Sequence, residues 1–293
     1  STDSTDDIVS RYIQSDERVK LIRKPKRTGK NDSIKVVVSL TQSDALVLLD
    51  ADVRLGSENV LEHWLRPIYD GRAVLVGANV IPVNPVSCLS PATLARYFDW
   101  LLEDEARRRK PASYWGVYGR AFAMSKDFYR NLVLPSAHAD DLFIYYSCKR
   151  SGQRRAFAKD AIVYFQAPKS IKDFVCQYSR FAHYTEKVRK EFGKELVDDD
   201  MRVQGMTGFL LSRMVRYPLH ATMWATCRLA SRIAYLMGED DNVLEAGLYK
   251  TESRRVGVEN SPPLVRDRSC LGETAKLAGQ AQDHQAAAEA SHI

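Results

Sequence analysis

Two carboxylates, Asp50 and Asp52, stand at the exit of the apolar run Val47-Leu48-Leu49. In extended backbone, residues two apart project to the same side, so both could face one divalent cation. An all-oxygen site of this kind suits magnesium or manganese bridging a diphosphate. The competing reading is that the pair solvates a loop or caps the helix that follows.

A second acidic pair, Asp140 and Asp141, follows His138-Ala139 at an expected loop-to-helix junction. A carboxylate beside another, at a helix start, has its pKa set by its neighbour and by the helix dipole, and could act as general base towards an acceptor hydroxyl. An N-cap pair holding the next helix is the alternative. Further on, Gln177, Arg180 and Phe181 fall at i, i+3 and i+4 of an expected helix and share one face. An amide, a guanidinium and an aromatic ring together could grip a diphosphate and a sugar ring, unless the helix is simply amphipathic. The basic loop Arg23-Lys24-Pro25-Lys26-Arg27-Thr28-Gly29-Lys30 either holds a phosphate-rich ligand or forms a solvated edge. It lacks the Gly-x-x-x-x-Gly-Lys spacing of a P-loop.

These groups need a scaffold. The chain alternates short apolar β-type runs with helical stretches, which is expected to build an α/β fold around a mostly parallel sheet covered by helices. A helix signal opens the chain, with Ser4 and Thr5 ahead of Asp6, Asp7, Ile8, Val9 and Tyr12. Strands are expected over 19–22, 45–49, 73–81 and 155–165, the second of them buried on both faces. Helices are expected over about 32–43, 57–69, 92–109, 125–131, 142–151 and 171–192. The stretch 114–124, rich in aromatics and glycine, reads as strand and turn at a site wall.

Residues 208–238 read as mainly helical, and there Leu210, Leu211, Met214, Leu219, Met223, Trp224, Leu229, Ile233 and Leu236 alternate with Arg213, Arg216, His220, Arg228 and Arg232. Such helices either pack on the domain or lie on an anionic membrane surface. From about 251 the chain is polar, with Pro262-Pro263 and an Ala/Gln-rich end, and is expected to be disordered. Three parts follow: an α/β domain over 1–205, a helical segment over 206–250 and a tail over 251–293.

With 293 residues, 45% of them hydrophobic, the chain can bury a core for one large domain with appendages. Its formal charge of +6 permits phosphate-bearing ligands, anionic membranes or nucleic acid. Nucleic acid is not an expected partner, because the aromatics do not interleave with basic residues in a recognisable module. Cys88, Cys148, Cys176, Cys227 and Cys270 are scattered and without metal-ligand spacing, so free thiols in a reducing, cytoplasmic compartment are expected. No apolar run reaches the roughly 18 residues that a spanning helix needs.

The order of these pieces resembles the family 2 glycosyltransferases. Ser1-Thr2-Asp3-Ser4-Thr5 is similar to the family's Ser-Thr-Asp-Gly-Thr turn with Ser4 in place of glycine, and Arg27, Gly29 and Lys30 to its Arg-x-Gly-Lys. Asp50-Ala51-Asp52 matches the family's metal-binding Asp-x-Asp, and Gly119-Arg120-Ala121-Phe122-Ala123-Met124 resembles the strand lining the acceptor side. Asp140-Asp141 stands for its Glu-Asp, and Gln177, Arg180 and Phe181 for Gln-x-x-Arg-Trp with phenylalanine for tryptophan. The resemblance runs from Ser1 to about Tyr184 and implies a GT-A-like, Rossmann-like sheet sandwiched by helices, read here without the family's first strand and helix.

What the resemblance implies is an inverting, metal-dependent transfer of a sugar from a nucleotide diphosphate donor. Asp50 and Asp52 would hold Mg2+ or Mn2+, Asp141 with Asp140 would serve the acceptor proton, and Asp3, Arg27, Lys30, Asp50, Gln177, Arg180 and Phe181 would bind donor or acceptor. The acceptor is expected to be a lipid-linked or cell-envelope glycan, met at the inner face of a membrane. A non-catalytic sugar-nucleotide-binding scaffold of the same fold is the alternative, and a nucleotidyltransferase a third.

Overall fold

The computed structural model describes residues 4–26, 28–83, 90–117, 119–136 and 139–237. The apolar run at the first acidic pair forms strand β1 (Ala45–Leu49), and the short strand β2 (Val53–Leu55) follows directly after Asp52. Strands β3 (Leu75–Pro82), β4 (Ala121–Ser125) and β5 (Arg155–Phe165) complete one sheet in the order β1-β4-β3-β5-β2. The sheet is mixed. β1, β3 and β5 run one way and β4 and β2 the other, with β3 and β5 paired parallel and the remaining pairs antiparallel. The crossover between β1 and β3, through helix α3 (Val60–Tyr69), is the kind that the strand–helix alternation anticipates.

Side-chain alternation explains why the strands read as continuous apolar runs. Leu46 and Leu48 of β1, Leu75 of β3, and Phe122 and Met124 of β4 enter one core cluster. Ala45 and Val47, Val76, Ala78 and Val80, and Ala121 and Ala123 enter the opposite one, against Trp64 of α3. Both faces are covered, so neither can be polar. The expectation that 45–49 is fully buried is nonetheless corrected. β1 lies at a sheet edge, and Leu46 alone in it is buried while Leu49 is exposed.

Helix α1 (Thr5–Ser15) opens the described chain and α2 (Lys30–Leu40) follows the basic loop. The strand expected over 19–22 does not form; no ladder partner meets it among the described residues, and none of its three apolar side chains, Val19, Leu21 and Ile22, is buried. The stretch 114–124 divides into a short helix α5 (Tyr114–Val117) and β4, separated by a turn at Gly119 with φ +96°. Helices α4 (Pro91–Arg109), α6 (Lys126–Arg130), α7 (Asp140–Arg150) and α8 (Ile171–Phe192) stand close to their expected places. Helix α9 (Lys194–Met201) is new; its acid-rich sequence buries Val197 and Asp200. Helices α10 (Met206–Arg216) and α11 (Pro218–Leu236) end the described chain, with α11 packed on α4 and α8.

Close backbone approach seats α5 on the sheet. A Cβ on Gly77 of β3 would lie 2.0 Å from the Gly116 carbonyl oxygen and 2.6 Å from the Val117 Cα. Only glycine permits that contact. Cys148 and Cys227 are free thiols, as expected, whereas Cys88, Cys270 and the tail over 251–293 lie outside the described residues.

Candidate active site

Three of the expected residues meet at one ammonium group. Lys30, at the first turn of α2, places Nζ 2.6 Å from Oδ1 of Asp50 and 2.7 Å from Oδ2 of Asp140. Elements far apart in sequence hold it there. The Asn31 amide donates to the Pro135 carbonyl at 2.6 Å, and the Ser136 hydroxyl donates to Asp32 at 2.7 Å. The N-terminus of α2 is thereby tied to the loop that leads into Asp140. The strand-exit carboxylate and the helix-start carboxylate therefore share one cleft.

Asp50 and Asp52 are fixed from the β4 side. The Asp50 N–H donates to the Arg120 carbonyl at 2.9 Å, extending the β1–β4 ladder by one residue. The Arg120 guanidinium then reaches back, with Nη1 2.7 Å from Oδ2 of Asp52 and 3.8 Å from Oδ2 of Asp50. It lies over the Phe165 ring at 4.6 Å, at the end of β5. Being always charged and held by an aromatic face, this arginine is a permanent cation beside the pair.

Asp141 is anchored differently. The Tyr114 hydroxyl and the Gly119 N–H both donate to its Oδ2, at 3.0 and 2.9 Å, and the Leu142 N–H donates to Oδ1 at 2.8 Å. The positive φ of Gly119 turns that N–H inward. Burial and then the neighbouring Asp140 push the Asp141 carboxyl up to about 6, against the opposing pull of the Lys30 ammonium and of the two backbone donors. Burial also pulls on Lys30 itself, yet Asp140 and Asp50 together hold its ammonium above the usual lysine range. The N-cap alternative for the acidic pair does not describe α7. Its cap is Ala139, and Asp140 and Asp141 occupy the first turn.

The remaining expected residues are spread around this centre. Phe181 of α8 stacks on Tyr114, with ring centroids 6.2 Å apart, and so reaches Asp141 through that tyrosine. Gln177 and Arg180 stand half-buried on the preceding turn of α8. Asp3, Arg27 and His138 lie outside the described residues.

Sequence reasoning reads 114–124 as a site wall, with Gly119-Arg120 in the acceptor-lining strand, but assigns no individual role to Tyr114, Gly119 or Arg120, and it overlooks Asp200. Asp200 of α9 is buried and accepts the Tyr114 N–H at 2.9 Å and the Tyr145 hydroxyl at 3.0 Å, while Lys149 pairs with it. It fixes the backbone that carries the tyrosine. The glycine- and aromatic-rich composition of 114–124 was the available signal for the first three.

Four carboxylates, Asp50, Asp52, Asp140 and Asp141, face the two cations Lys30 and Arg120, which leaves a formal charge of −2 when all are ionised. Among the described residues no group of three or more His, Cys, Asp or Glu side chains is arranged to hold a metal ion. Two carboxylates in an acid-rich cleft nonetheless fit a hard divalent cation whose other ligands are water and phosphate. The oxygen donor set and the excess negative charge both suit it.

The family model for Glycosyl transferase family 2 matches residues 1–133, a span that includes Lys30, Asp50, Asp52, Tyr114 and Arg120 and ends before Asp140. No curated protein matches the chain by sequence. Among solved structures, the fold is similar to that of the mannosyltransferase PcManGT from Pyrobaculum calidifontis in complex with GDP-Man and Mn2+. The TM-score is 0.55 at 14% identity, over 82% of this chain and 76% of that one, a likeness of fold.

Proposed function

We propose that the chain, whose residues 1–133 match the glycosyl transferase family 2 model and whose fold is similar to that of a mannosyltransferase, is a glycosyltransferase that moves a sugar from a nucleotide diphosphate to an acceptor hydroxyl with inversion. The observation that carries this reading is the Lys30 bridge, which brings Asp50 on the donor side and Asp140 on the acceptor side to one ammonium.

In this reading Asp50 and Asp52 would hold Mg2+ or Mn2+, whose positive charge, when bound, offsets charge developing on the leaving diphosphate. Lys30 and Arg120 are cations already in the cleft, able to exchange a carboxylate for a phosphate oxygen as the donor enters. Arg27 and Asp3, which lie outside the described residues, would bind the donor as the family resemblance implies.

Asp141 takes the proton of the acceptor hydroxyl while that oxygen bonds to the anomeric carbon and the bond from carbon to diphosphate breaks. The proton ends on Asp141 and the electron pair on the diphosphate. Tyr114 and Gly119 hold the carboxylate in position for this. Phe181 packs beside the sugar, and Gln177 with Arg180 grips the diphosphate or the acceptor. A carboxyl poised near 6 is ionised at neutral pH and still basic enough to accept a proton in the transition state.

We read 1–205 as the catalytic domain, 206–250 as a helical segment that meets a membrane surface, and 251–293 as a tail. The acceptor is then a lipid-linked or cell-envelope saccharide at the cytoplasmic face. The scaffold alternative is disfavoured by the retained pairs Asp50 with Asp52 and Asp140 with Asp141. Calorimetric titration of Mn2+ with a panel of nucleotide sugars, followed by a transfer assay on each binder, tests the proposal. Binding that depends on both metal and nucleotide, with transfer, supports it; no metal-assisted nucleotide binding would exclude it.

A further inference from the structure

The two alternatives open for the C-terminal helices, packing on the domain or lying on a membrane, turn out to occupy opposite faces of the same helix. Ala221, Cys227 and Ser231 of α11 are buried, Cys227 in a cluster with Ala92 and Ala95 of α4 and Phe174 of α8. The Trp224 indole donates to Asp99 of α4 at 2.5 Å. Leu219, Thr222, Thr226, Leu229, Ile233 and Leu236 recur at intervals of three and four along the same helix, so they form one stripe. That stripe lies opposite the buried face. It is uncharged and open, with Leu229 62%, Ile233 49% and Leu236 66% exposed.

Helix α10 continues the same chemistry. It has no buried residue, and it exposes Leu211, Met214 and Val215, the last by 84%. From Arg202 to Met237 the chain carries Arg202, Arg213, Arg216, Arg228 and Arg232 and not one of its 37 acidic residues. An apolar stripe flanked by arginines alone is matched by a layer with phosphate outside and hydrocarbon within. Guanidinium groups pair bidentately with phosphate oxygens, and leucine and isoleucine enter the acyl boundary. Among the described residues no helix is long and apolar enough to cross a membrane, so these helices would lie on it.

We infer that α10 and the outward face of α11 form the docking surface of this chain for an anionic lipid bilayer. The inference stands apart from the reading of the catalytic cleft, and a metal-free, donor-free sample tests it. The full chain is floated with phosphatidylcholine vesicles and with vesicles containing phosphatidylglycerol, at low and high salt. Flotation with anionic vesicles at low salt is expected, falling about tenfold at high salt or with neutral vesicles.

The double variant Leu229→Glu/Ile233→Glu, which changes only exposed positions, should lose flotation while unfolding at the wild-type temperature. Arg216→Gln/Arg232→Gln, a second variant that leaves the stripe intact, should weaken it. Absence of wild-type flotation on anionic vesicles, or unchanged flotation of both variants, would overturn the inference. So would a dimer in lipid-free solution that Leu229→Glu/Ile233→Glu dissociates, because the stripe would then be an interface between copies.

Discussion

The Tyr114 hydroxyl donates to Oδ2 of Asp141 across 3.0 Å, joining the short helix α5 to the carboxylate read as the base. A donor to the charged form favours ionisation. Tyr114→Phe keeps the ring on Phe181 and removes the donor, so the Asp141 pKa should rise further above its ordinary value. The acid limb of the kcat/KM profile is expected to move up by about one pH unit, with donor affinity unchanged. A profile superposable on wild type would show that this hydrogen bond does not tune the reacting group.

Asp141→Asn should lower turnover at least about a hundredfold while sparing donor binding. The folded-state value near 6 lies above the ordinary 3.8, so ionising the buried group opposes folding. That penalty is absent below about pH 4, grows as pH rises to about 6 and is complete above it. The variant is therefore expected to be more stable than wild type at pH 8, by about 1–2 kcal/mol, and to lose the advantage at pH 4. Thermal melts at both pH values check the sign.

The pieces legible in sequence are those in which neighbours along the chain do the work. Asp50 and Asp52 announce themselves by following an apolar strand, and Asp140 and Asp141 by preceding a helical run. The helices carry periodicity and stops, as with Gly152 after α7 and Gly193 after α8. The partners of Arg120, Tyr114 and Asp200 were opaque because they lie far away: 68 positions separate Arg120 from Asp52, and 86 separate Asp200 from Tyr114. Strand order is likewise non-local. An apolar run such as 45–49 reads identically in a central strand and in an edge strand whose two faces are both covered.

Arg120→Gln removes a fixed cation 2.7 Å from Asp52. Without that competitor the two carboxylates should bind Mn2+ more tightly when no nucleotide is present, by about tenfold on coulombic grounds. Calorimetry of Mn2+ alone on the two proteins reads this directly. Equal affinities would mean that Asp52 does not take part in binding the ion.

Gly77→Ala tests the seat of α5 rather than its chemistry. With a Cβ 2.0 Å from the Gly116 carbonyl oxygen, the helix must lift from β3. Destabilisation of about 3 kcal/mol is expected in urea unfolding. The surviving folded fraction should also lose turnover, since Tyr114 moves with α5. A variant as stable as wild type would contradict the packing described here.

The account rests most heavily on Asp50, Asp52 and Asp141 acting on one sugar within one cleft. The measurement that reaches this directly is the anomeric configuration of the first product, followed by nuclear magnetic resonance, with Mn2+, an accepted nucleotide sugar and its acceptor, for wild type, Asp52→Asn and Asp141→Asn. The expected result is inverted product from wild type, loss of metal-assisted donor binding in Asp52→Asn, and donor binding without transfer in Asp141→Asn. Product of retained configuration, or near-normal transfer by Asp141→Asn, would contradict it.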